Sequence, residues 1–181
     1  MADTQRLYSA ILALLADNTT GAISPQDIRD ATETLRNGHG ELSITSSAAT
    51  TIVTQNTWYN VAGTYALTAD ASNWDMNTNG QLRYIGAAER CIHCALTFSF
   101  TGQGNNDVYE WGMGKNGAIV TPSIVRHKLN VGTDTRGSAA HGFTSVVTND
   151  YITIMVRNTT DADDPTMVTG NLFVMDMPCG D

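Results

Sequence analysis

The sequence predicts a mainly β protein, a two-sheet sandwich preceded by a short helical hairpin, and three observations carry that expectation. After position 40 apolar and polar residues alternate in short runs, the period of strands with one buried face. Thr, Val, Ile and Tyr fill these runs, and Asn, Asp and Gly interrupt them at turn-like intervals. Before position 40 apolar residues recur every three or four positions instead, which is helical spacing.

Leu7, Ile11, Leu14 and Leu15 define the first expected helix, ended by Asp17-Asn18-Thr19-Thr20-Gly21. The second should begin at Ser24, where an N-cap residue, Pro25 at the first helical position and an acid, Asp27, in the first turn coincide. Ile28, Ala31 and Leu35 continue its apolar stripe, and Gly38-His39-Gly40 supplies the expected stop. Residues 1–40 are therefore read as a helical base and 41–181 as the sandwich.

Early strands are expected near Ile44, Ile52 and Val61, followed by Gln81 to Ile85. From Cys91 to Phe100, Ile92, Cys94, Leu96, Phe98 and Phe100 point one way, with Cys91, His93, Ala95, Thr97 and Ser99 opposite. Tyr109, Trp111 and Met113 form the next inward row, and the Asn116-Gly117 pair suits a tight hairpin turn. Val125, His127, Leu129 and Val131 alternate with polar residues, Ile152, Ile154 and Val156 form another row, and Asn171 to Met177 closes the series. Eight to ten strands suit two sheets joined by Greek-key connections. The strand Tyr151 to Arg157 carries sizeable groups on both faces, and symmetric association is the expected cover for the second set.

A chain of 181 residues can bury a sizeable core without metal or disulfide staples. The net charge of -8 and the lack of any Lys/Arg cluster argue against nucleic acid as a partner. The apolar run Ile11 to Ala16 is too short to cross a bilayer and follows no basic leader segment, so membrane insertion and export are not expected. Cys91, Cys94 and Cys179 are an odd set with no paired framework and are read as free thiols.

The chemical motifs favour structural readings. Gly112-Met113-Gly114-Lys115-Asn116-Gly117 has the spelling of a dinucleotide loop, but a strand-like, proline-ended segment follows where a helix is required. Asp75, Asn77, Asn79 and Gly80 open like an EF-hand, yet Gly86 stands where the bidentate Glu belongs. Asp161, Asp163 and Asp164 are read as a solvated loop tip, with a structural calcium ion held loosely between strands as the alternative. Cys91 and Cys94 project to opposite strand faces and cannot share a zinc ion. The four histidines are scattered, no nucleophile elbow occurs, and Glu89 and Glu110 have no visible partner. No enzyme, cofactor or metal site is expected.

Two stretches carry a resemblance. Leu14 through Asp30, reading LLADNTTGAISPQDIRD, is similar to the N-terminal segment of phage fibre, head-fibre and decoration proteins. Asn79 to Gly86, the aromatic strand ending in Lys115-Asn116-Gly117, the Asp150-Tyr151-Ile152 approach and Asn171 to Val174 together resemble the tumour-necrosis-factor-like and complement-head-like jelly rolls that cap phage surface trimers. The resemblance implies a jelly-roll β-sandwich working as a homotrimer on a virion, made in the host cytoplasm, with the major capsid protein as partner. It implies a capsid decoration or cement protein whose helical base, through Leu7, Ile11, Leu14, Leu15, Ile28 and Leu35, grips coat subunits. The alternative is a tail or head-fibre tip that recognises a host receptor or glycan by stacking on loop residues Trp58 and Trp74, although no shaft repeat is present. Trp111 is assigned to the core.

Overall fold

A computed structural model describes Ala13 and residues 23–179. The first expected helix, with Leu7, Ile11, Leu14 and Leu15, lies outside the described residues. Helix α1 (Pro25–Leu35) starts where the sequence signals it. Ser24 Oγ accepts from the Asp27 amide at 3.2 Å, and Asp27 Oδ2 accepts from the Ser24 amide at 2.9 Å. This reciprocal capping box satisfies two otherwise unpaired donors.

The helix ends at Leu35, ahead of the expected glycine stop, and His39 and Gly40 already belong to a strand. Gly38 serves a different purpose from a cap. Its amide donates to Asp176 Oδ1 at 3.0 Å, its carbonyl accepts from the Asp176 amide at 2.9 Å, and a Cβ there would meet the Ser72 carbonyl at 2.6 Å. The apolar stripe of α1 packs only through its middle residue. Ala31 and Asp30 are buried, whereas Ile28 and Leu35 are 49% and 52% exposed.

Twelve strands follow among the described residues: β1 (His39–Ser47), β2 (Tyr59–Asn60), β3 (Gly63–Leu67), β4 (Trp74–Thr78), β5 (Gln81–Tyr84), β6 (Arg90–Thr101), β7 (Val108–Lys115), β8 (Ala118–Ile119), β9 (Val125–Lys128), β10 (Arg136–Val146), β11 (Tyr151–Asn158) and β12 (Thr166–Pro178). One sheet has the order β10-β6-β12-β1-β3. The other runs β4-β5-β11-β7-β8, with β2 beside β11 and β9 beside β7. All pairings are antiparallel and nested: β1 with β12, β5 with β11, β6 with β10, and β7 with β8 and β9. One long hairpin rolled across two layers gives this order, so the architecture is a jelly roll.

The alternation read from sequence becomes the core. Ile92, Leu96, Phe98, Phe100, Leu172 and Val174 of the first sheet face Leu82, Tyr84, Trp111, Met113, Ile152 and Ile154 of the second. The Trp111 ring centroid lies 4.9 Å from Phe98 and 4.8 Å from Phe100, within the range of favourable aromatic pairing. Asn116 and Gly117 both take positive φ, 50° and 80°, as the tight β7–β8 hairpin requires.

Three expectations are corrected. Ile52 and Val61 are buried but lie outside strands; their amides donate to Asp164 Oδ1 and to the Ile154 carbonyl, so an irregular segment delivers them to the core. Cys91 and Cys179 form a disulfide, leaving only Cys94 free. The β6–β12 register explains the meeting, since Met177 lies opposite Cys91 and Cys179 follows two residues on. Finally, the second face of β11 needs no partner chain. Thr153 hydrogen-bonds Asn60 at 3.1 Å, Met155 packs against Gly114, and both are buried within this chain.

Candidate functional site

The unpaired surface belongs to the other sheet. The β10–β6 and β6–β12 registers place Phe143, His93 and Met175 directly opposite one another, with His39 next on β1. The adjacent row is His141, Ala95 and Phe173. These residues point away from the core because the inward positions of the same strands carry Ile92, Cys94, Leu96, Leu172 and Val174. Phe143 stacks on His93 at 4.8 Å between centroids, and His141 stands edge-on to His93 at 6.0 Å. Phe143 is nevertheless 61% exposed. A flat belt of aromatic, methionine and imidazole groups on one sheet is unusual for a surface that faces only water.

One end of the roll carries the helix. Arg90 at the start of β6 and Asp176 near the end of β12 form a fully buried ion pair with Nε to Oδ1 at 3.5 Å. Arg90 Nη2 donates to the Arg36 carbonyl at 2.8 Å, and Trp74 Nε1 donates to Asp176 Oδ2 at 3.0 Å. This network holds the end of α1 against the sandwich. Ile85 and Val147 are exposed at the same end, together with Ile28 and Leu35 of the helix.

The tryptophans divide differently from expectation. Trp74 is 2% exposed and bonded to Asp176, so it cannot present a ring to a ligand from a loop. Trp58 is partly exposed, but the Arg157 guanidinium sits 4.9 Å above its ring. Trp111 is in the core, as expected.

Titratable groups mostly serve the fold. Glu110 is bridged by Arg157 at 2.6 Å, and Asp75 by Arg83 at 2.6 Å; the hydrogen bond from Arg83 holds Asp75 below the usual carboxylate range. Burial pushes the Cys94 thiol up to about 12, so it is not a nucleophile at neutral pH. Burial also lowers His127, whose ring lies among Phe98 and Phe100. Asp164 caps the Ile52 amide at 2.8 Å. Asp161 and Asp163 instead converge with Asp107, a residue that sequence reading passed over. Burial, with the charges of Asp161 and Asp163, pushes Asp107 above the ordinary carboxylate range against the opposing hydrogen bond from Tyr109. A shallow depression lined by Ile44, Thr97, Ser138, Val168, Thr169 and Asn171 holds none of these groups.

No protein-family model matches the chain, and no curated protein sequence does. Among solved structures it is similar to murine APRIL at 9% identity, covering 77% of this chain and 98% of that one with a TM-score of 0.46. It is also similar to the Eiger TNF of S. frugiperda at 10% identity, covering 81% and 97% with a TM-score of 0.44. Dimeric latent PorU from Porphyromonas gingivalis aligns at 9% identity over 79% of this chain and 13% of its own, with a TM-score of 0.41. The jelly-roll assignment itself rests on the strand order.

Proposed function

We propose that this chain is a structural, non-catalytic virion component: a homotrimeric capsid decoration protein that stabilises an assembled head. The observation that carries the reading is the outward belt of Phe143, His93, Met175, His141, Ala95 and Phe173 on the β10-β6-β12 face. Three copies turning this face toward a common axis would bury apolar surface that a lone protomer leaves wet. The helix-bearing end, exposing Ile28, Leu35, Ile85 and Val147, would then face the shell, where the major capsid protein is the partner. Three such ends on one trimer multiply modest contacts, and selective binding to the assembled shell stabilises it by mass action.

Outside the Asp107, Asp161 and Asp163 cluster, the acidic and thiol groups described above serve the fold. Glu110 is neutralised by Arg157, and Cys94 is buried. The fibre-tip alternative loses support because Trp74 lies in the core and Trp58 is capped by Arg157.

Light scattering on purified full-length protein should give the mass of three chains, and Phe143→Glu should shift it to one chain with unchanged far-ultraviolet circular dichroism. A monomeric wild type would reject the trimer. Quantitative mass spectrometry of particles should then count hundreds of copies per virion; a few dozen or fewer would reject decoration in favour of a fibre or spike.

A further inference from the structure

We propose that Asp107, Asp161 and Asp163 form a calcium-binding site that ties together the loops at the end of the jelly roll opposite α1. Asp107 leads into β7, whereas Asp161 and Asp163 lie between β11 and β12. Arg90, beside the helix, and Thr101, beside this cluster, stand at opposite ends of the twelve-residue strand β6. One oxygen from each of the three carboxylates lies within 4.8 Å of the others. Oxygens that ligate one calcium ion at about 2.4 Å can be at most about 4.8 Å apart, so the spacing fits that ion.

The second observation is the state of Asp107. The residue is 1% exposed, and its Oδ2 accepts from the Tyr109 hydroxyl at 2.9 Å and from the Gly104 amide at 3.1 Å. Its Oδ1 is buried and meets no donor. A buried carboxylate oxygen without a partner is costly, and two further acidic groups beside it increase that cost. Lys and Arg do not relieve it: among the described residues none forms an ion pair with Asp107, Asp161 or Asp163. A bound dication would satisfy Oδ1 and offset the three charges together.

The surroundings hold these groups in place. Asp161 Oδ1 accepts from Asn158 Nδ2 at 2.6 Å and from the Asp163 amide at 3.0 Å, while Asn158 Oδ1 accepts from the amides of Thr160 and Asp161. A side chain at Gly104 would run into the carboxylates of Asp163 and Asp107, so only glycine lets this loop close over them. All three side-chain ligands are oxygen and none is sulfur or nitrogen, which selects a hard cation over zinc or copper. Calcium is favoured over magnesium because it accepts irregular, carboxylate-rich shells and sheds its water more readily. Asp107 is buried while Asp161 and Asp163 are half-buried, so an ion can enter from the loop side, and its role there is to fasten the loops.

The test is calorimetric titration of the full-length protein with calcium chloride, paired with thermal melts in calcium and in chelator. One ion per chain should bind saturably and raise the melting temperature by several degrees, with magnesium at least tenfold weaker. Asp107→Asn keeps an acceptor for Tyr109 and Gly104 while removing the charge, so it should fold and melt no lower than the wild type in chelator. It should nonetheless lose the calcium-dependent rise, and Asp161→Asn should weaken binding at least tenfold. Terbium emission sensitised through Tyr109 should appear with the wild type and vanish with Asp107→Asn. Absence of saturable calcium uptake by the wild type would overturn the proposal. So would a calcium response that survives both substitutions, since the ion would then sit elsewhere. If Asp107→Asn fails to fold, the wild-type titration and Asp161→Asn still decide the matter.

Discussion

Asp176 holds one end of the molecule together through four contacts: the Arg90 guanidinium, the Trp74 indole, and both polar backbone groups of Gly38. Replacing it by alanine removes the carboxylate paired with a buried guanidinium and strips the Gly38 amide and the Trp74 indole of their acceptor, and breaking a buried pair costs about 3–5 kcal/mol. Asp176→Ala should lower the unfolding free energy by that amount in a urea titration. Adding Arg90→Met should not restore it in full, because the Gly38 amide, the indole and the Arg36 carbonyl are then all without their partners. None of this was visible in the sequence, where Asp176 stands in a closing strand among apolar neighbours. Its role depends on which strand end it meets, and the register that decides this is a long-range property. The disulfide escaped for the same reason, since its cysteines are 88 positions apart. Asp107 escaped because only the fold brings it beside the β11–β12 loop.

At the scale of elements, the signals that proved readable were local ones. Ser24, Pro25 and Asp27 predict the start of α1 because capping chemistry is complete within one turn. Ser24→Ala should therefore speed amide exchange across 25–35, with a local cost of about 1 kcal/mol. The melting of the sandwich should stay unchanged, since α1 is tied to it at its other end through Arg36. Strands with strict alternation, β6 above all, were equally legible. Ile52 and Val61 misled because short apolar runs do not distinguish a strand from an irregular segment that reaches the same core. The stripe of α1 misled in the opposite sense: spacing reveals that Ile28 and Leu35 share a face, not that anything in the same chain covers it. For β11, bulk on both faces was real, but its second cover comes from Asn60 and from the glycine-lined surface of β7.

At the scale of the whole molecule, a two-layer β body was legible because its core depends on a period of two repeated over many strands. Which sheet stays uncovered was not, since that depends on how the connections cross the roll. The outward belt around Phe143 and the acidic cluster at the far end both emerge from that ordering. The disulfide belongs to this scale too, because it joins the start of β6 to the last residue described, just beyond β12, at the helix-bearing end of the first sheet. Cys179→Ser should cost about 2–4 kcal/mol in reversible unfolding of the oxidised protein, and a reductant should produce no further loss in the variant.

The pairing of the first strand with the last has a mechanical consequence. His39 lies opposite Met175, so tension applied through the helix and through the far end of β12 enters two neighbouring strands at the same end of the sheet. It would peel the β1–β12 ladder one rung at a time, the geometry that yields at low force. The Cys91–Cys179 bond diverts the pull on β12 into β6, so a reduced molecule should open under a gentler pull than an oxidised one.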